Sequence, residues 1–165
     1  MYRAELMKQW LQYNEQRSME TFFETVAVER NMPVIGLDNI GETMYMLFDR
    51  EPFEWQCREL LKTIEYPENE VKQERTIKAM FRNGRLTDIA YQVSGPNNTS
   101  SVSFSDYRVY CQRNSQWVKR LQPFLAEGGA FITLNAIYLG GDKGLIEQLR
   151  TAGYRVRPAN RRIRN

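Results

Sequence analysis

Ala130-Phe131-Ile132-Thr133-Leu134, then Lys143-Gly144-Leu145-Ile146-Glu147-Gln148-Leu149-Arg150-Thr151-Ala152, then Gly153-Tyr154-Arg155-Val156: on this run the fold reading turns. The first five residues follow Gly128-Gly129 and are rich in β-favouring side chains, so they read as a strand. The middle segment has apolar residues at helical spacing and ends at Gly153, a residue that enters the left-handed conformation at little cost. Tyr154-Arg155-Val156 reads as a second strand. Strand, helix and strand in so short a span form a βαβ unit, whose crossover is right-handed and whose strands are parallel.

Working outward, Pro33-Val34-Ile35-Gly36-Leu37 is an apolar run ending at Asp38, as expected of a strand buried on both sides of a parallel sheet. The predicted strands are therefore 33–37, 130–135 and 154–158. Helices fill the rest. Residues 4–31 read as two helices, with Ser18 capping the second. Residues 42–65 read as helix broken near Pro52, with Leu47, Phe48, Phe53, Trp55, Leu60, Leu61 and Ile64 on the buried face. Pro67 suits a first helical position, and the helix it opens stops at Asn83-Gly84. A further helix spans 86–93, and Gly95-Pro96-Asn97-Asn98-Thr99-Ser100-Ser101 is a loop. A long helix capped at Ser105 or Asp106 runs to Leu125. The expected class is α/β: a small, mainly parallel β-sheet flanked by helices, helix-rich, with a C-terminal βαβ unit. Residues 1–158 make one domain and 159–165 a basic tail.

The chain has 165 residues, enough to bury a core without metals or disulfides. No apolar run is long enough to span a bilayer, and the charged N-terminus does not resemble a signal peptide, so a cytoplasmic location is expected. Cys57 and Cys111 share no metal-ligand spacing; buried free thiols or a disulfide are both open, with free thiols favoured. Histidine is absent from the sequence. That removes histidine-activated nucleophiles, histidine proton shuttles and the commonest transition-metal ligand. The net charge is +3, and six arginines with no acid lie between Gln148 and Asn165. Arg157, Arg161, Arg162 and Arg164 are thus candidates for nucleic-acid association, against a simpler role as a solvated terminus.

Ala130 to Leu145, with Asn135-Ala136-Ile137-Tyr138-Leu139-Gly140-Gly141 at its centre and Ala152-Gly153-Tyr154-Arg155-Val156 after it, resembles the C-terminal end of the TraB/PrgY/GumN family. That family shows a strand, a Gly-x-x-His-Leu-x-Gly turn, a helix and a Gly-Tyr-x-Val strand. Arg113-Asn114 followed by Trp117 resembles its Arg-Asn motif, Asn83-Gly84-Arg85-Leu86 its Gly-Asp-Leu turn, and Met32 to Asp38 its Lys-Pro-Val-x-Gly-Leu-Glu strand. The resemblance spans about residues 19–158. Asn135 stands where the family's turn has glycine, and Tyr138 where it has histidine; the family's N-terminal half has no counterpart before Met1.

The resemblance implies mostly bacterial relatives and, through the pheromone-shutdown branch, a link to plasmids and peptide signals. The animal Tiki proteins, which are similar, imply metal-dependent proteolysis through histidine turns. A tyrosine phenol is a poor replacement for imidazole at neutral pH. The leading expectation is accordingly a non-catalytic protein with no cofactor and no metal site. It would bind a peptide, protein or small ligand in a crevice lined by Asp38, Arg113, Asn135, Tyr138, Gly140 and Gly141.

Each of these residues has a plainer role. Asp38 could cap the helix starting near Gly41, Arg113 could pair with Asp38, and Asn135 and Tyr138 could serve packing. Gly140-Gly141 could present N–H groups to an anion or simply make a turn. Trp10, Trp55 and Trp117 read as core residues. The alternatives are a divalent-metal hydrolase with a rebuilt carboxylate site and nucleic-acid association through the tail. A homodimer, or a separate chain supplying the missing half, would cover the small sheet.

Overall fold

A computed structural model describes residue 9 and residues 18–45, 49–94 and 107–159. Helices dominate them: α1 (Met19–Glu29), α2 (Ile40–Met44), α3 (Phe53–Glu65), α4 (Pro67–Arg82), α5 (Leu86–Ser94), α6 (Tyr107–Glu127), a 3-10 turn (Ala136–Tyr138) and α7 (Leu145–Thr151). Among the described residues there is no β-strand. The expected α/β class is thereby overturned, and with it the βαβ unit: the domain is mainly α.

The reason lies in pairing. Residues 131–135 and 154–157 alternate between exposed and half-buried, the period-2 signature of a strand. Ile132 and Leu134 pack on the core while Phe131 and Thr133 face out. Yet no backbone ladder joins 130–134 to 33–37 or to 154–158 among the described residues. A strand is defined by its neighbour's amides as much as by its own sequence. These segments carry the pattern without the neighbour.

Helix boundaries follow local chemistry closely. The Ser18 hydroxyl accepts from the Thr21 amide at 3.0 Å and caps α1. Pro67 opens α4, where a missing N–H costs nothing, and Gly84 ends it at φ 67°. The Ser105 or Asp106 cap and the 95–101 loop lie outside the described residues, as do Trp10, Leu47 and Phe48. The helix expected over 143–152 begins at Leu145.

The core gathers around α6, whose Tyr110, Trp117, Val118 and Leu121 meet Ala90 of α5, Tyr138 of the 3-10 turn and Leu145 of α7. The apolar face expected of α3 is not buried: Phe53, Leu60, Leu61 and Ile64 are exposed, and Thr63 is that helix's buried residue. Cys57 and Cys111 are free, and half-buried rather than buried. No helix among the described residues is long and apolar enough to cross a membrane.

Candidate functional site

One turn of α6 points Arg113, Asn114 and Trp117 inward together, because residues three and four apart share a helix face. The Arg113 guanidinium lies against two adjoining aromatic rings, with its carbon 4.8 Å from the Trp117 ring centroid and 4.7 Å from that of Tyr138. It donates from Nη1 to the Tyr138 hydroxyl and from Nη2 to Asp38 Oδ2 at 2.5 Å. The other Asp38 oxygen accepts from the Trp117 indole N–H at 2.7 Å. A cation, two π-faces, a phenol and a carboxylate thus close on one another.

Neighbouring contacts hold this cluster in place. Arg120, two turns along α6 from Arg113, donates to the Leu37 carbonyl and reaches Glu42 at 3.3 Å, fixing the approach of the segment that carries Asp38. Tyr138 packs against Tyr110 in a stacked arrangement, ring centroids 5.9 Å apart, and edge-on to Trp117 at 4.8 Å. The Tyr110 hydroxyl donates to the Gly140 carbonyl. Asn114, fully buried, donates to the Lys143 carbonyl at 2.8 Å and ties α6 to the entry of α7.

The Tyr138 phenol is pushed above its ordinary value of 10.0, chiefly by burial. The Arg113 charge pulls it down, the Asp38 charge raises it, and the hydrogen bond from Arg113 lowers it again. The net direction keeps the hydroxyl protonated at neutral pH. It is neither a base nor an anionic ligand there.

The predicted site residues divide into two groups. Asp38, Arg113 and Tyr138 come together, with the Asp38–Arg113 pairing among the readings the sequence left open. Asp38 does not cap α2; Asn39 does, accepting from the Gly41 and Glu42 amides. Asn135, Gly140 and Gly141 lie outside the ion-pair cluster. The Asn135 side chain accepts from the Ile137 amide at 3.1 Å and starts the 3-10 turn. Gly140 abuts α5: a Cβ there would collide with the Leu86 carbonyl group and come within 2.6 Å of the Thr87 nitrogen. Gly141 has φ 81°, with space for a Cβ bounded by Ala90 and Tyr110.

Arg157 is exposed, while Arg161, Arg162 and Arg164 lie outside the described residues. Sequence reasoning missed Trp117 as a donor, Arg120 as an anchor and Tyr110 as a tether. All three carry polar atoms at the tips of side chains whose bodies read as core or surface, and helical spacing from Arg113 was the available signal.

The divalent metal that a Tiki-like chemistry implies does not fit these residues. Both Asp38 oxygens are engaged, Tyr138 is a protonated phenol, and a guanidinium occupies the centre of the donor set. A dication about 5 Å from that guanidinium would face roughly 7 kcal/mol of repulsion at an effective dielectric near 20. Among the described residues no group of three or more His, Cys, Asp or Glu side chains could hold a metal ion.

The fold and this cluster define a helical domain organised around one sequestered arginine. The chain belongs to the TraB/PrgY/gumN family, whose model matches residues 1–158. No curated protein and no solved structure matches it.

Proposed function

We propose that this chain is a non-catalytic member of its family that acts by binding a polypeptide. One observation carries the reading. The polar groups gathered at the family's turn, Asp38, Arg113, Trp117 and Tyr138, are hydrogen-bonded to one another and leave no activated nucleophile, base or metal ligand among them. A half-buried carboxylate with two donors already in place is an anchor rather than a proton carrier. Three of the six residues expected to line a ligand crevice, Asp38, Arg113 and Tyr138, are bonded to one another. Apolar side chains instead face outward on extended backbone, at Val34, Ile35 and Phe131, a surface that suits a peptide or protein partner.

The test is titration of the purified chain with Zn²⁺, Co²⁺ and Mn²⁺ in a calorimeter, alongside hydrolysis of a quenched fluorogenic peptide library. The expected result is no saturable metal binding, and peptide cleavage no faster than that of an Asp38→Asn, Tyr138→Phe double variant. Metal-dependent cleavage that disappears in that variant would overturn the non-catalytic reading.

A further inference from the structure

We infer that residues 130–134 are the edge by which two copies of this chain join, pairing antiparallel with their own symmetry mate about Ile132. This rests on the polypeptide-binding half of the proposed function and not on the chain being non-catalytic. Among the described residues, the backbone of Ala130 to Leu134 makes no hydrogen bond, although the segment is extended and its side chains alternate as in a strand. Unpaired amides and carbonyls in a row are complementary to another extended backbone.

Three extended segments compete for this role, and their side chains decide between them. Self-pairing of 154–157 would set Arg155 against Arg157 of the other copy, a like-charge opposition that destabilises a ladder. Residues 33–37 contain Pro33, which lacks an N–H, and Gly36, which weakens a strand. Residues 129–134 carry no charge and neither interruption after Gly129.

Antiparallel pairing about Ile132 sets Ile132 against its own copy and Phe131 against Thr133. It keeps Ile132 and Leu134, which pack on the core, on one face. The cores of the two protomers would then run together beneath the ladder.

The surroundings agree. Phe131 meets Phe23 at 4.7 Å between centroids and Phe23 meets Phe22 at 5.2 Å, forming one connected aromatic patch. Phe131 and Phe22 are 67% and 61% exposed, and Val34 and Ile35 lie exposed on the segment leading to Leu37, which packs on the same core as Ile132. These exposed side chains and the backbone of 130–134 are the surface that such a pairing would bury toward the roughly 800 Å² per partner of a stable interface.

Sedimentation velocity on the full chain, with hydrogen exchange at several concentrations, tests the inference. The expected result is a species of twice the 19.5 kDa chain mass, with amides in 130–134 protected more strongly as concentration rises. Ile132→Cys should cross-link between copies about tenfold faster than Thr133→Cys, since directly opposed residues in an antiparallel pair have the closest Cβ atoms. Were exposure alone in control, the order would be reversed.

A monomer at high micromolar concentration overturns the inference, including the case in which a different polypeptide occupies the edge. So does a dimer whose 130–134 amides exchange freely. If Ile132→Cys fails to fold, exchange on the unmodified chain still decides. Metal-dependent peptidase activity in a dimer protected at 130–134 would overturn the non-catalytic reading and leave this one standing.

Discussion

Asp38→Ala removes the counter-charge of Arg113 and the acceptor of Trp117 at one stroke, while Arg113 keeps a side chain only 12% exposed. Breaking a fully buried ion pair costs about 3–5 kcal/mol, because the remaining charge stays desolvated. Asp38 is 28% exposed, so water reaches part of the pair and the charge contribution falls to about 2 kcal/mol. An indole N–H left without its acceptor adds about 1 kcal/mol. The expected loss is about 3 kcal/mol, which for a chain of this length lowers Tm by roughly 6–12 °C. Urea unfolding followed by tryptophan fluorescence measures it. Asp38→Asn keeps an amide oxygen for Trp117 and loses about 2 kcal/mol. Adding Arg113→Met to Asp38→Ala removes the stranded cation, so the double variant should be about 2 kcal/mol more stable than the summed single losses predict. A loss below about 0.5 kcal/mol for Asp38→Ala, or strict additivity with Arg113→Met, would falsify the view of this pair as a buried anchor.

Alkaline pH should weaken the fold through Tyr138. Its pKa in the folded protein is raised, so its contribution is fully present below 10.0, the unfolded value, and is lost as pH rises through the higher folded value. Chemical denaturation at pH 8 to 11 should therefore show a decline that Tyr138→Phe reduces; an unchanged decline in that variant speaks against it. Gly140→Ala puts a methyl group into the α5 backbone at Leu86 and should cost about 3 kcal/mol or more by thermal melting. Gly129→Ala meets no atom but sits at φ 76°, so its cost should be near 1 kcal/mol; equal losses at the two glycines would contradict the close approach. Arg120→Ala frees the Leu37 carbonyl and should raise hydrogen exchange across 34–38 before it changes exchange in α6, which mass spectrometry would resolve.

Local signals set the helices. Ser18, Pro67 and Gly84 act on backbone groups within a few residues, so their effects were legible without knowing the fold. The extended runs at 33–37, 130–134 and 154–157 were equally legible as strand-like, but a ladder needs amides from elsewhere, and no local pattern records whether they arrive. The buried face assigned to α3 failed for a related reason. Periodicity shows which side chains share a face, not whether another element covers it.

The sequence by itself determined the family, the helix ends at Ser18, Pro67 and Gly84, the lack of imidazole and the pairing of Asp38 with Arg113 as one of two readings. Only the tertiary structure decided that this pair packs against Trp117 and Tyr138, that Gly140 is a packing glycine, and that the strand-like segments form no ladder among the described residues. The division follows range. Caps, turns and composition act between near neighbours, whereas enclosure of a charge requires groups brought together across about eighty residues of chain, as when Trp117 reaches Asp38.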